Sequence, residues 1–183
     1  MNPPLPAFTF HPDPVGTGVV EKSEAECVCC GKATGYIYTG AVFGESDLHD
    51  SLCPWCIADG SAHNDRGAEF CDGSDFYSAP DSPLIPEEEI RELTERTPIY
   101  SGWQQPEWKH HCGHGCLFLG AADSHYLRKH RSELEAQVRS AANFGDEKSF
   151  QQFYNSVDGE SGVMIWVFRC RVCSALIPHI DLP

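Results

Sequence analysis

Eight of the ten cysteines fall into four short pairs, and this spacing constrains the chain more than any other feature. The pairs are Cys27 with Cys30, Cys53 with Cys56, Cys112 with Cys116, and Cys170 with Cys173. A Cys-x2-Cys turn can place two thiolates on one side of a zinc ion, and two such turns complete its tetrahedral shell. The sequence therefore predicts two separate four-thiolate zinc sites that stabilise the fold.

The first site is expected to join the first two pairs. Gly31 follows the second thiol directly, where a glycine allows the backbone to turn under the metal. Cys29 is left over, because adjacent cysteines rarely share one metal. Cys71 stands alone in an acidic segment. We expect both of these residues to be free thiols rather than ligands.

The second site is expected to join the last two pairs, although three residues rather than two separate Cys112 from Cys116. His111 and His114 lie in the same segment, and imidazole is also a good zinc ligand. We favour the four thiolates, and replacement of one of them by His111 or His114 stays open. A four-ligand shell has no free position, so both ions are expected to be structural.

The chain has 183 residues, of which 41 % are hydrophobic, enough for one domain or two small lobes. The first residues lack a positive region and an apolar stretch of signal-peptide length. No apolar run approaches the roughly 18 residues of a membrane span. We expect a cytoplasmic protein whose cysteines bind metal, because disulfides are rare in that compartment.

The net charge of −14 is concentrated in one part of the chain. Residues 1–107 contain 19 Asp and Glu against 5 Lys and Arg, whereas residues 108–183 contain 8 of each kind. Such a polyanion repels phosphate backbones, so nucleic-acid binding is disfavoured and a basic protein is the better-matched partner. The carboxylates expected to contact this partner are Asp59, Asp65, Glu69, Asp72 and Asp75.

The pattern of elements predicts an α+β fold with short antiparallel strands and hairpins around the two zinc sites and about three helices. Residues 1–80 are expected to form an acidic lobe with the first site. Residues 81–183 are expected to form a second lobe with the second site. We also expect a short strand at 8–10, an irregular acidic segment at 62–83 and one long helix at about 124–143.

No familiar catalytic string is present, such as Gly-x-Ser-x-Gly or His-Glu-x-x-His. His110, His111 and His114 form a cluster that could support acid/base chemistry. Their position beside a cysteine pair favours a structural role instead. We therefore do not expect an enzyme.

Several strings together resemble one bacterial family. They are Phe10-His11-Pro12-Asp13-Pro14, Gly35 to Gly40, Leu52 to Ala62, Glu95-Arg96-Thr97-Pro98, and Phe168 to Asp181. In this order, and across the whole chain, they resemble the CbrC-like family. Its members are linked with tolerance to DNase-type colicins and are suspected immunity proteins.

The resemblance implies an antitoxin that binds and blocks a basic, nuclease-type protein toxin. Two alternatives stay open. One is a zinc-stabilised stress-response adaptor that binds no toxin, and the other is a metal-dependent enzyme that uses the histidine cluster. The sequence does not identify the toxin or the oligomeric state.

Overall fold

A computed structural model describes residues 4–44, 47–142, 144–159 and 162–183. Within these ranges the fold is α+β, as expected, with short antiparallel strand pairs and six α-helices. The helices are α1 (Pro54–Ala58), α2 (Ser61–Arg66), α3 (Glu87–Arg96), α4 (Ser124–Lys129), α5 (Arg131–Ala142) and α6 (Glu147–Ser156). The strands are β1 (Val20–Glu26), β2 (Ala33–Tyr38), β3 (Tyr77–Ala79), β4 (Ser82–Pro83), β5 (His110–His111), β6 (His114–Gly115), β7 (Leu117–Ala121), β8 (Met164–Arg169) and β9 (Leu176–Asp181).

The strands form three antiparallel pairs and one larger sheet. The pairs are β1 with β2, β3 with β4, and β5 with β6, and the larger sheet has the order β7-β8-β9. Each cysteine turn lies at the end of a strand or at the start of a helix. The sheets therefore fix the directions from which the thiols approach each other.

Strand β8 separates two hydrophobic cores. Met164, Trp166 and Phe168 belong to the larger core, whereas Ile165 and Val167 belong to the smaller one. Successive side chains of a strand point to opposite faces of a sheet, so a strand buried on both faces is apolar throughout. This arrangement explains the unbroken apolar run that the sequence shows at this strand.

The larger core contains residues from both sides of residue 80. Tyr38, Phe70 and Phe76 come from before this point, and Tyr100 and Phe118 come from after it. The ring of Tyr100 stacks on Phe118 with centroids 4.8 Å apart. The smaller core packs α4, α5 and α6 against the three-stranded sheet. Apolar packing thus continues across the boundary that separates the two predicted lobes.

The long helix expected at about 124–143 is two helices, α4 and α5, in the described part of the chain. It begins as expected, because the Asp123 side chain accepts a hydrogen bond from the Tyr126 amide at 2.7 Å. His130 then leaves the helical conformation, with φ −106° and ψ 26°. Its ring stacks on Tyr126 at 4.5 Å and lies 3.1 Å from the carboxylate of Glu133.

Two other expectations about local structure are wrong. The segment 62–83 is not irregular, because it contains most of α2, a 3-10 helix at Gly73–Phe76, and the β3–β4 hairpin. Buried Phe70 and Phe76 hold this segment against the larger core. Residues 8–10 form no strand; Phe8 and Phe10 are instead buried core residues, and the Phe10 carbonyl accepts the Phe118 amide at 2.8 Å.

Among the residues that the structure describes, no helix is both long enough and apolar enough to span a membrane.

Candidate metal centres

The first candidate centre brings together all four cysteines of the first two pairs. The sulfur atoms of Cys27, Cys30, Cys53 and Cys56 all lie within 4.8 Å of one another. The sulfurs of Cys27 and Cys56 are 3.8 Å apart, and those of Cys30 and Cys53 are 4.0 Å apart. The edge of a tetrahedron of sulfurs about 2.3 Å from a metal is about 3.8 Å. The group therefore fits a four-coordinate metal ion.

Local hydrogen bonds shape the turn that presents the first pair. The Cys27 amide donates to the Lys32 carbonyl at 3.0 Å, and the Gly31 amide donates to the Cys27 carbonyl at 2.7 Å. The amide of Cys53, at the start of α1, donates to the Cys27 sulfur at 3.2 Å. Hydrogen bonding to Cys53 lowers the pKa of the Cys27 thiol to about 4, although burial opposes this effect. This contact thus favours the thiolate at Cys27, while the same hydrogen bond raises the pKa of the Cys53 thiol.

The second candidate centre contains three cysteines and one histidine. The ligand atoms of His111, Cys112, Cys170 and Cys173 all lie within 4.8 Å of one another. Nδ1 of His111 is 3.2 Å from the Cys112 sulfur and 3.4 Å from the Cys173 sulfur. The sulfurs of Cys112 and Cys173 are 3.8 Å apart. This group also has the size of a tetrahedral metal site.

Cys116, expected as a ligand, is not a member of the second group. It follows directly after β6 and is fully buried in the larger core, with its amide donating to the Lys109 carbonyl at 2.9 Å. Burial, followed by the charges of Cys170, Cys173 and Cys112, raises the pKa of the Cys116 thiol to about 12. The Cys116 thiol is therefore close to the second metal group but lies on the side that faces the larger core.

The hairpin tip explains which side chains face the metal group. Strands β5 and β6 pair His111 with His114, which leaves Cys112 and Gly113 as a two-residue loop. Both loop residues have positive φ, +54° and +74°, as in a type I′ hairpin turn. The tip of this hairpin therefore carries one thiol, that of Cys112, whereas both Cys112 and Cys116 were expected to be ligands.

The second pair of this centre, Cys170 and Cys173, lies in a turn between β8 and β9. The Cys170 sulfur lies 3.4 Å and 3.5 Å from the amides of Val172 and Cys173, which donate to it. Backbone N–H groups aimed at a sulfur stabilise the thiolate form. The turn therefore resembles the first centre in its local chemistry.

The two groups differ in exposure. Three of the four ligands of the first group are buried, with Cys30 exposed. In the second group only Cys170 is buried, and His111, Cys112 and Cys173 are exposed. The second centre therefore lies at the protein surface.

Glu89 of α3 connects both halves of the second centre and was not among the residues expected at this site. One carboxylate oxygen lies 2.9 Å from Nδ1 of His114 and 3.2 Å from an Arg171 nitrogen. The other oxygen accepts the Gly115 amide at 2.9 Å. The Glu89 side chain is only 14 % exposed. The sequence gives no indication of this role, because three acidic residues begin this helix and the helix dipole alone explains their presence there.

The remaining cysteines and histidines lie outside both groups. Cys29 is half-buried, and Cys71 is buried in the larger core, where burial raises the pKa of its thiol to about 12. His110 precedes His111 on β5 and is half-buried. The three histidines therefore have different environments, with His111 in the metal group and His114 against Glu89.

All five carboxylates expected to contact a partner are exposed. Glu69, Asp72 and Asp75 surround Cys71, and their negative charges add to burial in raising the pKa of its thiol. Asp72 caps the 3-10 helix by accepting the Ser74 amide at 2.8 Å, and hydrogen bonds with the Ser74 side chain and amide lower its pKa. Burial, followed by the charges of Asp72 and Glu107, raises the pKa of Asp75.

The other two carboxylates lie at α2. Asp59 accepts hydrogen bonds from the amide and the hydroxyl of Ser61, at 2.9 Å and 2.6 Å, just before this helix. Asp65 lies within the helix and is exposed. Both charges are therefore presented at the surface, one of them in a fixed position.

Comparison with known proteins identifies the family. Residues 5–182 match the model of the uncharacterised protein family UPF0167. A UPF0167 protein from Mycobacterium bovis is 36% identical over 178 residues, covering 97% of this chain and 93% of the relative. Another from Pseudomonas aeruginosa is 39% identical over 183 residues, covering 100% and 98%. No solved structure matches the chain. The chain therefore belongs to the UPF0167 family.

Proposed function

We propose that this UPF0167 protein is a zinc-stabilised cytoplasmic immunity protein that binds and blocks a basic, nuclease-type protein toxin. The resemblance to the CbrC-like family suggests the biological role. The single structural observation that supports it is the exposure of all five candidate carboxylates, in a chain whose excess negative charge lies before residue 108. Nothing in this role requires the protein to be an enzyme.

Zinc is the proposed metal because of the donor atoms. Thiolates and imidazole are the usual ligands of zinc, whereas calcium and magnesium prefer oxygen. Both groups have four donors at tetrahedral spacing, which leaves no open position for substrate. The ions are therefore proposed to be structural, each joining two distant turns.

Charge complementarity is the proposed basis of toxin binding. A nuclease needs a basic cleft for the phosphates of its substrate, and an acidic protein surface can occupy such a cleft. Complementary charges also speed the encounter of two proteins. Glu69, Asp72 and Asp75 form the proposed centre of the contact, and a cationic partner would relieve the repulsion from Asp72 that adds to burial in raising the pKa of Asp75.

A pull-down of the tagged protein from its host, followed by mass spectrometry, tests this proposal. We expect a stoichiometric basic nuclease. Repeated capture of acidic or non-nuclease partners only, or of no partner while the toxin is expressed, would contradict the role.

A fourfold amide variant then tests the surface. Replacing Asp65, Glu69, Asp72 and Asp75 by their amides should weaken binding and cell protection while the metal content is unchanged. An amide oxygen still accepts a hydrogen bond, so the Asp72→Asn change preserves the helix cap. A matched control removes the same charge elsewhere, at Glu21, Glu24, Glu26 and Asp50, all of which are exposed. Equal protection by both variants would place the contact elsewhere.

A further inference from the structure

We propose that the second centre is a three-cysteine, one-histidine zinc site completed by Nδ1 of His111, and that Cys116 is a buried thiol outside the coordination shell. This assignment rests on the zinc-binding part of the proposed function. Four side chains near the other three cysteines could supply the last ligand. They are His110, His111, His114 and Cys116.

The position of His111 fits a ligand on its own geometry. For Zn–N of about 2.0–2.1 Å and Zn–S of about 2.3 Å, a tetrahedral shell places nitrogen and sulfur about 3.5 Å apart. Nδ1 of His111 is 3.2 Å from the Cys112 sulfur and 3.4 Å from the Cys173 sulfur. The same nitrogen thus lies at ligand distance from both halves of the centre.

His114 is held away from the metal by other partners. Its Nδ1 lies 2.9 Å from Glu89, whose carboxylate is also bound by Arg171 and by the Gly115 amide. To reach the metal, His114 would have to leave a carboxylate that is fixed by two other donors. A histidine next to a half-buried carboxylate instead supports the hairpin that carries His111.

His110 is excluded by the direction of its side chain, and Cys116 does not belong to the group of ligand atoms. His110 and His111 are neighbours on β5, so their side chains point to opposite faces of the strand. The Cys116 side chain is fully buried in the larger core, and the carbonyl of this residue accepts a hydrogen bond from the Trp108 indole at 2.8 Å. Cys170 is equally buried yet belongs to the metal group, so position rather than burial leaves the Cys116 sulfur outside the set of atoms that lie within 4.8 Å of one another.

Histidine NMR of the zinc-loaded protein provides the direct test. Long-range 1H–15N spectra distinguish a ring bound to metal through Nδ1, which keeps its proton on Nε2, from a free ring. We expect one of the nine histidines to show this pattern, and we expect the signal to disappear in His111→Gln. Zinc per chain should fall from two to one in that variant.

Two further variants separate ligation from folding. Cys116→Ala should keep two zinc ions and the bound-histidine signal, and His114→Gln should do the same. If Cys116→Ala does not fold, the spectrum of the unmodified protein still decides the question. The assignment would be overturned if the unmodified protein bound two zinc ions without the signal of a metal-bound histidine, or if His111→Gln retained two zinc ions.

The test of the histidine assignment is independent of the test of toxin binding. Two zinc ions held by eight sulfurs would overturn the histidine assignment and leave the proposed immunity function intact. Failure to capture a nuclease would contradict the immunity function and leave the histidine assignment intact. A second centre that takes up no zinc in the unmodified protein would overturn the assignment and the zinc part of the proposal together.

Discussion

Ser174 occupies in the second centre the position that Gly31 occupies in the first. Each residue directly follows the second cysteine of a Cys-x2-Cys turn, and their φ angles are +62° and +66°. The hydrogen bonds also match, since the amide of each donates to the carbonyl of the turn's first cysteine, at 2.7 Å for Gly31 and 3.1 Å for Ser174. The two turns therefore have one backbone design with a different residue at its strained position.

This relationship predicts opposite effects of two substitutions. Ser174→Gly should stabilise the protein by roughly 0.5 kcal/mol, because the left-handed conformation costs a non-glycine residue about 1–2 kcal/mol and glycine loses part of this gain in entropy. Gly31→Ala should destabilise it by roughly 0.5 kcal/mol, because the same strain is partly offset by the entropy that alanine removes from the unfolded chain, and a Cβ at Gly31 would contact nothing within 4 Å.

Urea unfolding of the zinc-loaded variants measures both changes. Ser174→Ala is the control, because it removes the hydroxyl and keeps the strained backbone. If Ser174→Ala gained as much stability as Ser174→Gly, the side chain rather than the φ angle would be responsible.

Loss of one ligand in the first centre should remove its metal. Cys53 is fully buried and belongs to the first group, so Cys53→Ser should reduce zinc from two ions per chain to one and unfold the surrounding β1–β2 and α1 region. A structural zinc contributes on the order of 10 kcal/mol to folding in small modules. Elemental analysis and circular dichroism measure both effects.

Cys29→Ser is the matched control for this substitution. Cys29 lies in the same turn but outside the group, and it is only half-buried, so two zinc ions should remain. Equal zinc contents in Cys53→Ser and Cys29→Ser would refute the assignment of ligands.

Glu89 should tune the affinity of the second centre without binding the metal. Glu89→Gln removes the charge that holds Arg171 and His114, and loss of such a supporting contact typically weakens metal binding about 10- to 100-fold. Competition with a chelator should therefore release one zinc ion faster than in the unmodified protein. Glu88→Gln, an exposed neighbour on α3, is the control, and the same release rate in both variants would argue against this role.

His11 should make the folded state sensitive to mild acid. Nδ1 lies 2.6 Å from the Pro98 carbonyl, which can only accept, so this nitrogen carries the proton, and Nε2 lies 2.6 Å from the Thr17 hydroxyl oxygen. Burial lowers the pKa of His11 to about 4. Between this value and the usual 6.5 the unfolded chain binds more protons, so stability falls as the pH falls through this window.

Between pH 7 and pH 5 this residue should lower the free energy of unfolding by about 2 kcal/mol. Urea unfolding of the unmodified protein and of His11→Phe at both pH values measures this loss. Acid weakens zinc binding in both proteins, so the difference between them isolates the contribution of His11. The variant should lose less stability on acidification. Equal losses in the two proteins would count against a neutral buried His11.

Salt should slow toxin binding more than it weakens the final complex. Exposed charges more than about 10 Å apart are largely screened at 0.1 M ionic strength, so steering is lost before short-range contacts. Stopped-flow association at several salt concentrations measures this effect. The fourfold amide variant should show a shallower salt dependence than the unmodified protein. A salt-independent association rate would contradict binding by charge complementarity.

Local spacing was enough to predict the first centre. A Cys-x2-Cys turn closes on itself through short backbone bonds, such as that from the Gly31 amide to the Cys27 carbonyl, so the neighbouring residues carry the necessary information. The helix caps at Asp123 and Asp146 are equally local, because their partners lie three residues away. The α+β class likewise followed from the patterns of short strands and helices.

The tertiary structure decided what depends on distant residues. His111 joins the second group because its hairpin is held by Glu89, which precedes His114 by 25 residues. The acidic segment is ordered because Phe70 and Phe76 enter a core built from other parts of the chain. Spacing specifies which atoms can meet within a turn, whereas packing against remote elements determines which of several adjacent side chains reaches the metal.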